Sequence, residues 1–489
     1  MSGNTKQKNL NQGYTAYLGK VAVMIVFMFG IGFLPVFGQM TELGMKVLGV
    51  FIGLLFGWSC IGVVLPCFVG FIALSLSGVT TPAALTTGCF GSEVVILLVA
   101  MYAMIDVMDQ SGVNDFLVNW LLSRKVLQGR PWLFSFIIIL ACYISGIIIG
   151  GFAAMLLIWG IIYKIAEITG MKAHDPYPTC LIIGTTIAGA MSAVVFPFLG
   201  TALFLCSAFS AMSGFSVDYA QFMGFVVPGA LFTFAAYILV MRFIFRIDVS
   251  AIKDADIHTL VNTDKLHTNL RQRLVLILFV ILMVMMLLPS ILPAESLLCV
   301  VLNSISNTGK VLLLYAVMSV IHIEGKPLID VGKALKNSVA WEMVIMVGFI
   351  SQLATFISSD ACGIKGSLAE VISPLALGHG TVFFTIMVLF LCMAVTNFMN
   401  NGPVAIIMMS VAVSMSDTVG ANLMAICAGC IFFSQLAYAT PIASPYSAML
   451  FSNKDWIRPK DVYFYGGIST CMLIPLCILF TVLWGSIIF

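Results

Sequence analysis

Residues 396–403 place polar side chains and a Gly-Pro step at the centre of an apolar run that extends from residue 382 to residue 413. Polar groups left unpaired in hydrocarbon are costly, so such an interruption survives only where it is buried or lines a solute site. Amide groups, hydroxyls and helix N-termini can hold a carboxylate without a full positive charge, and carbonyl and hydroxyl oxygens suit a hard cation such as sodium. We therefore predict that a solute binds at residues 396–403.

The composition indicates a polytopic membrane protein. The 489 residues are 61% hydrophobic and 9% charged, with a mean hydropathy of +1.09, which argues strongly against a water-soluble protein of this size. The net charge of +2 argues against a nucleic-acid partner. The 13 cysteines fall almost entirely in apolar segments, with Cys362 expected to be exposed, so we predict no disulfide framework. The five histidines do not cluster with carboxylates, so we predict no cofactor, no metal other than a coupling ion, and no enzyme.

Hydropathy predicts an all-α fold with about eleven spanning helices. Two further apolar segments, 132–168 and 380–416, contain a central irregularity and are predicted to be re-entrant hairpins. The spans 178–213 and 421–453 are longer than a bilayer needs and contain prolines, which predicts helices broken at mid-depth, where transporters hold ions. The predicted spans are 20–37, 45–58, 60–77, 94–110, 178–213, 225–245, 273–292, 298–322, 341–357, 421–453 and 466–488.

The distribution of Lys and Arg predicts the orientation of the chain in a cell (inner or plasma) membrane. Residues 1–19 are expected in the cytoplasm and the C-terminus outside, with the first hairpin entering from the cytoplasm and the second from outside. Residues 246–272 form a charged cytoplasmic connector between the halves 20–245 and 273–489. Similar features recur at an offset of about 250 residues, and an odd number of spans separates the two copies, so we predict inverted repeats with a site at their interface.

The motifs of the second half resemble those of the divalent-anion/sodium symporter family, anion permeases of the ion transporter superfamily. Thr396-Asn-Phe-Met-Asn-Asn-Gly402 is similar to the Ser-Asn-Thr hairpin signature of that family, and Ala439-Thr-Pro-Ile-Ala-Ser-Pro445 is similar to its Thr-Pro-Pro-Asn broken helix. The resemblance implies a homodimer of scaffold and transport domains in the lipid bilayer. It also implies an elevator-type mechanism, a small organic anion such as a di- or other carboxylate as substrate, and sodium as the coupling ion.

The resemblance also implies roles for individual residues of the second half. A sodium ion would be held by Thr396, the backbone of Met399, Asn401 and the backbone of Ala443. The substrate would be faced by Asn400, Asn401, Ser444 and Pro445. The alternative is that Asn397, Asn400 and Asn401 only cap or cross-link helices inside the bundle.

The first half departs from the family pattern. Gly150-Gly151-Phe152 stands in place of Ser-Asn-Thr, Gly146 replaces an expected serine, and Gly200-Thr201 continues as Ala202-Leu203-Phe204 instead of Pro-Pro-Asn. The sodium site of the first half would therefore depend on the backbones of Gly150 and Gly200. Gly151, Phe152 and Thr201 would lie near the substrate. The cargo is then smaller, carries one carboxylate, or bears an apolar portion that packs against Phe152.

Asp106 is the deepest acidic residue by sequence, and it is either a proton relay or an interfacial carboxylate. The sequence therefore leaves open whether transport is coupled to sodium, coupled to a proton or uncoupled. An anion channel is the alternative from a different class of protein. The identity of the anion, the stoichiometry and the direction of flux are not determined by the sequence.

Overall fold

The computed structural model describes residues 2–113, 129–253, 268–293, 295–364, 380–441 and 443–489, with a few residues between these ranges. The described chain is helical apart from one small hairpin, which confirms the all-α fold class. In that hairpin, β1 (His322–Ile323) pairs antiparallel with β2 (Lys326–Pro327). The two linking residues, Glu324 and Gly325, both have positive φ, as a tight two-residue hairpin turn requires.

Seven helices of the described chain are long and apolar enough to cross a membrane, or nine if each of two bent pairs counts as one span. Shorter apolar helices such as Val64–Ser77 and Gly200–Ser213 cannot cross by themselves, so the figure of eleven stays a prediction. One bent pair, Leu297–Ser304 with Asn307–Val320, turns by 85°, whereas the sequence predicts one span over residues 298–322. The bend lies at Ser306, whose φ of 48° is outside the helical range and whose side chain caps the second helix.

The N-terminal region contributes five helices, of which Glu93–Ser111 packs on the first hairpin. Side-chain caps begin two of them, because Thr41 accepts a hydrogen bond from the Gly44 N–H at 3.1 Å and Thr81 accepts one from the Ala84 N–H at 3.2 Å. The helices are α1 (Ser2–Ile25, continued by a π-helical turn, Val26–Gly30, and a 3₁₀ turn, Ile31–Phe33), α2 (Glu42–Cys60), α3 (Val64–Ser77), α4 (Pro82–Phe90) and α5 (Glu93–Ser111).

The rest of the first half contains a helical hairpin and a broken helix. Gly150 separates the two arms of the hairpin with φ +88° and ψ 138°, a conformation that needs glycine. Residues 193–199 separate the two halves of the broken helix. The elements are α6 (Pro131–Ile149), α7 (Gly151–Thr169), α8 (Pro176–Ser192), α9 (Gly200–Ser213), α10 (Tyr219–Leu239, continued by the π-helical turn Val240–Ile244) and α11 (Ser250–Lys253).

The second half also contains a helical hairpin and a broken helix, which follow five intervening helices of the described chain. Residues 396–400 separate the arms of its hairpin, and residues 434–444 separate the halves of its broken helix. The intervening helices are α12 (Leu270–Ile291), α13 (Leu297–Ser304), α14 (Asn307–Val320), α15 (Val331–Ser338) and α16 (Trp341–Ser358). The remainder are α17 (Gly380–Val395), α18 (Asn401–Val419), α19 (Leu423–Phe433), α20 (Pro445–Ser452), α21 (Pro459–Asp461, continued by the π-helical turn Val462–Gly466) and α22 (Gly467–Ile488).

Two groups of three helices each contain one hairpin and the first part of one broken helix. Helices α6, α7 and α8 pack against one another, and so do α17, α18 and α19. The groups are linked crosswise, because α9 packs on α18 of the second half and α20 packs on α8 of the first. The inverted-repeat relation itself stays a prediction.

The cysteines show one difference from the sequence-based expectation. Cys362 is buried, because its carbonyl accepts the N–H of Thr41 and it lies against the Gly44 backbone, whereas Cys60 and Cys471 are exposed. The prediction that Cys362 is exposed was therefore wrong.

Candidate functional site

A central cavity of about 470 Å³ lies where the hairpins and the broken helices meet. Four helices begin at its wall: α7 at Gly151, α9 at Gly200, α18 at Asn401 and α20 at Pro445. The first N–H groups of a helix have no partner within the helix and carry a partial positive charge. The starts of α7 and α9 have no side-chain cap, so their N–H groups are free to bind an anion, and the partial positive charge of all four N-termini favours one.

The tip of the first hairpin lies directly against α8. A Cβ on Gly151 would come within 2.8 Å of the Gly189 carbonyl carbon and closer still to its oxygen. A Cβ on Gly146 would lie 2.7 Å from the Cβ of Ser192 and closer to its Oγ. Gly146 and Gly151 thus allow this approach, and the Ser192 hydroxyl lies where a side chain at position 146 would otherwise be.

The tip of the second hairpin is fastened by Asn397. Its Nδ2 donates to the carbonyls of Met393 (2.9 Å) and Leu436 (3.0 Å), and its Oδ1 accepts the N–H groups of Tyr438 (3.2 Å) and Ala439 (3.0 Å). All the hydrogen-bonding capacity of this amide is used within the protein. Asn397 therefore cross-links the tip to the break in the second broken helix and does not face the cavity.

Asn400 and Asn401 lie differently from Asn397. Asn401 donates through Nδ2 to Oε1 of Gln435 at 2.7 Å, and Asn400 accepts only the Gly402 N–H, at 3.2 Å, through Oδ1. Both asparagines and Gln435 line the cavity. The Oδ1 of Asn401 and the Nδ2 of Asn400 make no hydrogen bond to another described residue, so they can bind a solute.

Four of the predicted site residues lie behind the cavity wall. Thr396 is buried and donates its hydroxyl proton to the Ser434 carbonyl at 2.8 Å. Ser444 caps α20 by accepting the Ser447 N–H at 3.1 Å, and it donates to the Ala437 carbonyl at 2.7 Å. Met399 and Ala443, named for their backbones, are also absent from the lining. These four residues therefore do not line the cavity, and their roles towards an ion or a substrate stay predictions.

Eight other predicted residues converge on the cavity although they are far apart in sequence. Asp106 lies in α5, but its side chain is outside the described residues. The predicted residues that line the cavity are Gly150, Gly151, Phe152, Gly200, Thr201, Asn400, Asn401 and Pro445.

Sequence reasoning missed two polar residues of the wall, Gln435 and Ser192. Gln435 lies just beyond the apolar helix α19, and its exposed fraction is 2%. An amide side chain at the end of an apolar run was therefore the sequence signal that could have identified it. Ser192 ends α8 and gives no comparable signal. Among the described residues that line the cavity none is Lys or Arg, and Glu342 is the one with a charged side chain.

A larger groove of about 910 Å³ runs between α17 and α22. Its described lining is apolar apart from Asn397, Thr470 and Cys471, and the Asn397 amide is fully hydrogen-bonded elsewhere. The Thr470 hydroxyl in turn donates to the Gly466 carbonyl at 2.9 Å. The smaller central cavity, with its free amide groups and four helix starts, is therefore the better candidate for an anion.

The sequence profile of the citrate transporter (CitMHS) family matches residues 51–430. Among solved structures, the YdaH transporter of Alcanivorax borkumensis is similar, with a TM-score of 0.54 over 83% of this chain and 87% of that chain. The two sequences are 15% identical, so the likeness concerns the fold. No curated protein matches the sequence significantly.

Proposed function

Because the chain belongs to the citrate transporter family, we propose that it carries an organic carboxylate through the central cavity together with sodium. The observation that supports this most directly is the convergence of four helix N-termini on the cavity. They supply partial positive charge to a site whose described wall has no Lys or Arg. Each N-terminus favours an anion by about 0.3–1 kcal/mol, and more where it is shielded from water. Asn400 Nδ2 and the Thr201 hydroxyl, also in the wall, add neutral donors for the carboxylate.

Two hydroxyl groups support sodium as the coupling ion. Thr396 gives its proton to the Ser434 carbonyl, and Ser192 gives its proton to the Gly189 carbonyl at 2.7 Å. Each hydroxyl oxygen therefore keeps its lone pairs for a cation. In this proposal one sodium is held by Thr396, Asn401 and the backbones of Met399 and Ala443. A second is held by the backbones of Gly150 and Gly200, with Ser192 supplying a hydroxyl that the hairpin itself lacks.

The position of the cavity supports an elevator-type movement. One wall consists of the hairpins and broken helices, and the opposite wall consists of residues from α2, α5 and α16, among them Trp58, Tyr102 and Glu342. Helix α16 packs on α9 across this boundary and also on α2, α3, α4 and α5. We assign α6–α9 and α17–α20 to the moving part and α2–α5 with α16 to a scaffold. The proposed assembly is a homodimer in a cell membrane with its N-terminus in the cytoplasm.

Uptake into proteoliposomes tests the proposal. Radiolabelled succinate, citrate, benzoate and sulfate are offered with an inward sodium gradient, with a proton gradient, and with neither, for the parent and Asn401→Ala. We expect sodium-driven uptake of a carboxylate, reduced at least about tenfold in Asn401→Ala, since hydrogen bonds to charged groups contribute about 1.5–3 kcal/mol. Asn303→Ala is the matched control, because Asn303 is exposed and remote from the cavity.

The outcomes separate the alternatives. Uptake driven by protons and indifferent to sodium would replace the sodium assignment with proton coupling. Conductance far above carrier turnover would indicate an anion channel. Equal uptake by Asn401→Ala and Asn303→Ala, at equal melting temperatures, would refute the site.

A further inference from the structure

Aromatic rings form a large part of the described cavity wall. Six of the residues that line it are aromatic: Trp58, Tyr102, Phe152, Phe196, Phe204 and Tyr446. Three of these rings lie next to the helix N-termini that favour an anion. Phe152 and Tyr446 are each the second residue of a helix that begins at the cavity, α7 and α20, and their ring centroids are 5.6 Å apart.

The third ring, Phe204, borders the start of α18. A Cβ on Gly402 would lie 3.4 Å from Cε1 of Phe204, so the ring lies close to the turn that carries Asn400 and Asn401. A carboxylate held by these helix starts therefore places the rest of its molecule against aromatic surface. Such surface binds a flat or compact apolar body. Of the three rings, those of Phe152 and Phe204 have no hydrogen-bond donor for a second carboxylate.

Charge leads to the same conclusion. The described wall has no Lys or Arg, so helix N-termini, neutral donors and bound sodium must balance the whole charge of the cargo. A second or third carboxylate would be desolvated without a partner, which is strongly unfavourable. Phe152 also occupies the place where the related symporters have the polar residue that ends Ser-Asn-Thr.

We propose that the cargo is a monocarboxylate with an aromatic or compact apolar body, rather than a di- or tricarboxylate. This inference rests on the proposed function, because it assumes that the central cavity is the transport site. Phe152 and Tyr446 form the surface that selects the apolar body, and Asn400 with the helix N-termini binds the carboxylate.

Isothermal titration calorimetry on the purified full-length transporter in sodium buffer tests the proposal with benzoate, cyclohexanecarboxylate, acetate and succinate. We expect benzoate to bind at least about tenfold more tightly than acetate, which has the same charge and no ring. Phe152→Thr should remove most of that difference, because it weakens the binding of benzoate. Phe152→Leu, which keeps an apolar side chain of similar position, should lose less.

Phe68→Leu is the control for loss of a phenyl ring, because Phe68 lies on α3 outside the cavity and is half exposed. This inference would be overturned if benzoate bound no more tightly than acetate. The proposed function would remain intact in that case if sodium-driven uptake of succinate or citrate depended on Asn401. The inference would also be overturned if Phe152→Thr and Phe68→Leu had the same affinity for benzoate. If no carboxylate bound or was transported, both the inference and the proposed function would fall.

Discussion

The contact between the first hairpin and α8 makes a sharp prediction about Gly151. An alanine at this position would place its Cβ 2.8 Å from the Gly189 carbonyl carbon and from Ser192 Oγ, closer than Cβ atoms come to other atoms in proteins. The nearest atoms belong to the backbone of a helix that is buried along almost its whole length, so no flexible side chain can move aside. Gly151→Ala must therefore push the hairpin tip away from α8.

The size of the effect follows from two opposing terms. Overpacking a well-packed interior costs about 1–3 kcal/mol, and a clash with backbone belongs at the upper end of that range. Gly160, on the same helix, has open space where a Cβ would lie, with no other atom within 4 Å of that position. Gly160→Ala should instead stabilise the helix by about 0.5–1 kcal/mol, because alanine loses less backbone entropy than glycine. The two Gly→Ala changes should thus differ by roughly 2–4 kcal/mol in the free energy of unfolding.

Thermal unfolding in detergent measures this difference, with sodium-driven uptake as the second readout. We expect Gly151→Ala to lower the apparent Tm by at least about 2 °C and to reduce uptake, because the displaced tip carries Gly150 and Phe152 in the cavity wall. Gly160→Ala should leave uptake unchanged and the Tm equal or higher. If the two variants had the same Tm, the close approach of the hairpin to α8 would be wrong.

Two further predictions follow from the same structure. Asn397→Ala should lower the free energy of unfolding by about 2–4 kcal/mol, because it leaves several buried backbone groups unpaired at about 1–3 kcal/mol each. Asn400→Ala should instead reduce carboxylate uptake with little change in Tm. The opposite pattern, a stable Asn397→Ala and an unfolded Asn400→Ala, would contradict the roles assigned here. Burial raises the pKa of the Cys362 thiol, and the thiolate is the form that reacts with alkylating reagents. Alkylation near pH 7 should therefore modify the exposed Cys60 and spare Cys362 until the pH rises towards that raised pKa. Equal labelling of the two cysteines, read by mass spectrometry of native protein, would show that Cys362 is accessible.

The class of the protein and the places where its helices break are determined by the sequence. Apolar runs predict membrane helices because hydrocarbon excludes unpaired polar groups, and the interruptions at Gly150 and at Asn400 mark the two hairpin tips for the same reason. The motif around Asn401 was sufficient to predict the ion transporter superfamily, which the match to the citrate transporter family confirms. The count of spans is less certain from sequence, because a bend such as that at Ser306 leaves the hydropathy unchanged.

Only the tertiary structure decided how the breaks are used. Hydropathy reports that a segment is shielded from water, but not which distant segment packs against it, so the pairing of Asn401 with Gln435 could not be read from the chain. The same limit applies to Asn397, which has the same chemistry as Asn400 yet uses all its hydrogen bonds to fasten the hairpin tip. The meeting of Phe152 with Tyr446 likewise depends on the crosswise packing of α20 on α8. Local propensities and motifs therefore determined where polar backbone could interrupt the membrane helices, and long-range packing decided which of these interruptions share one cavity.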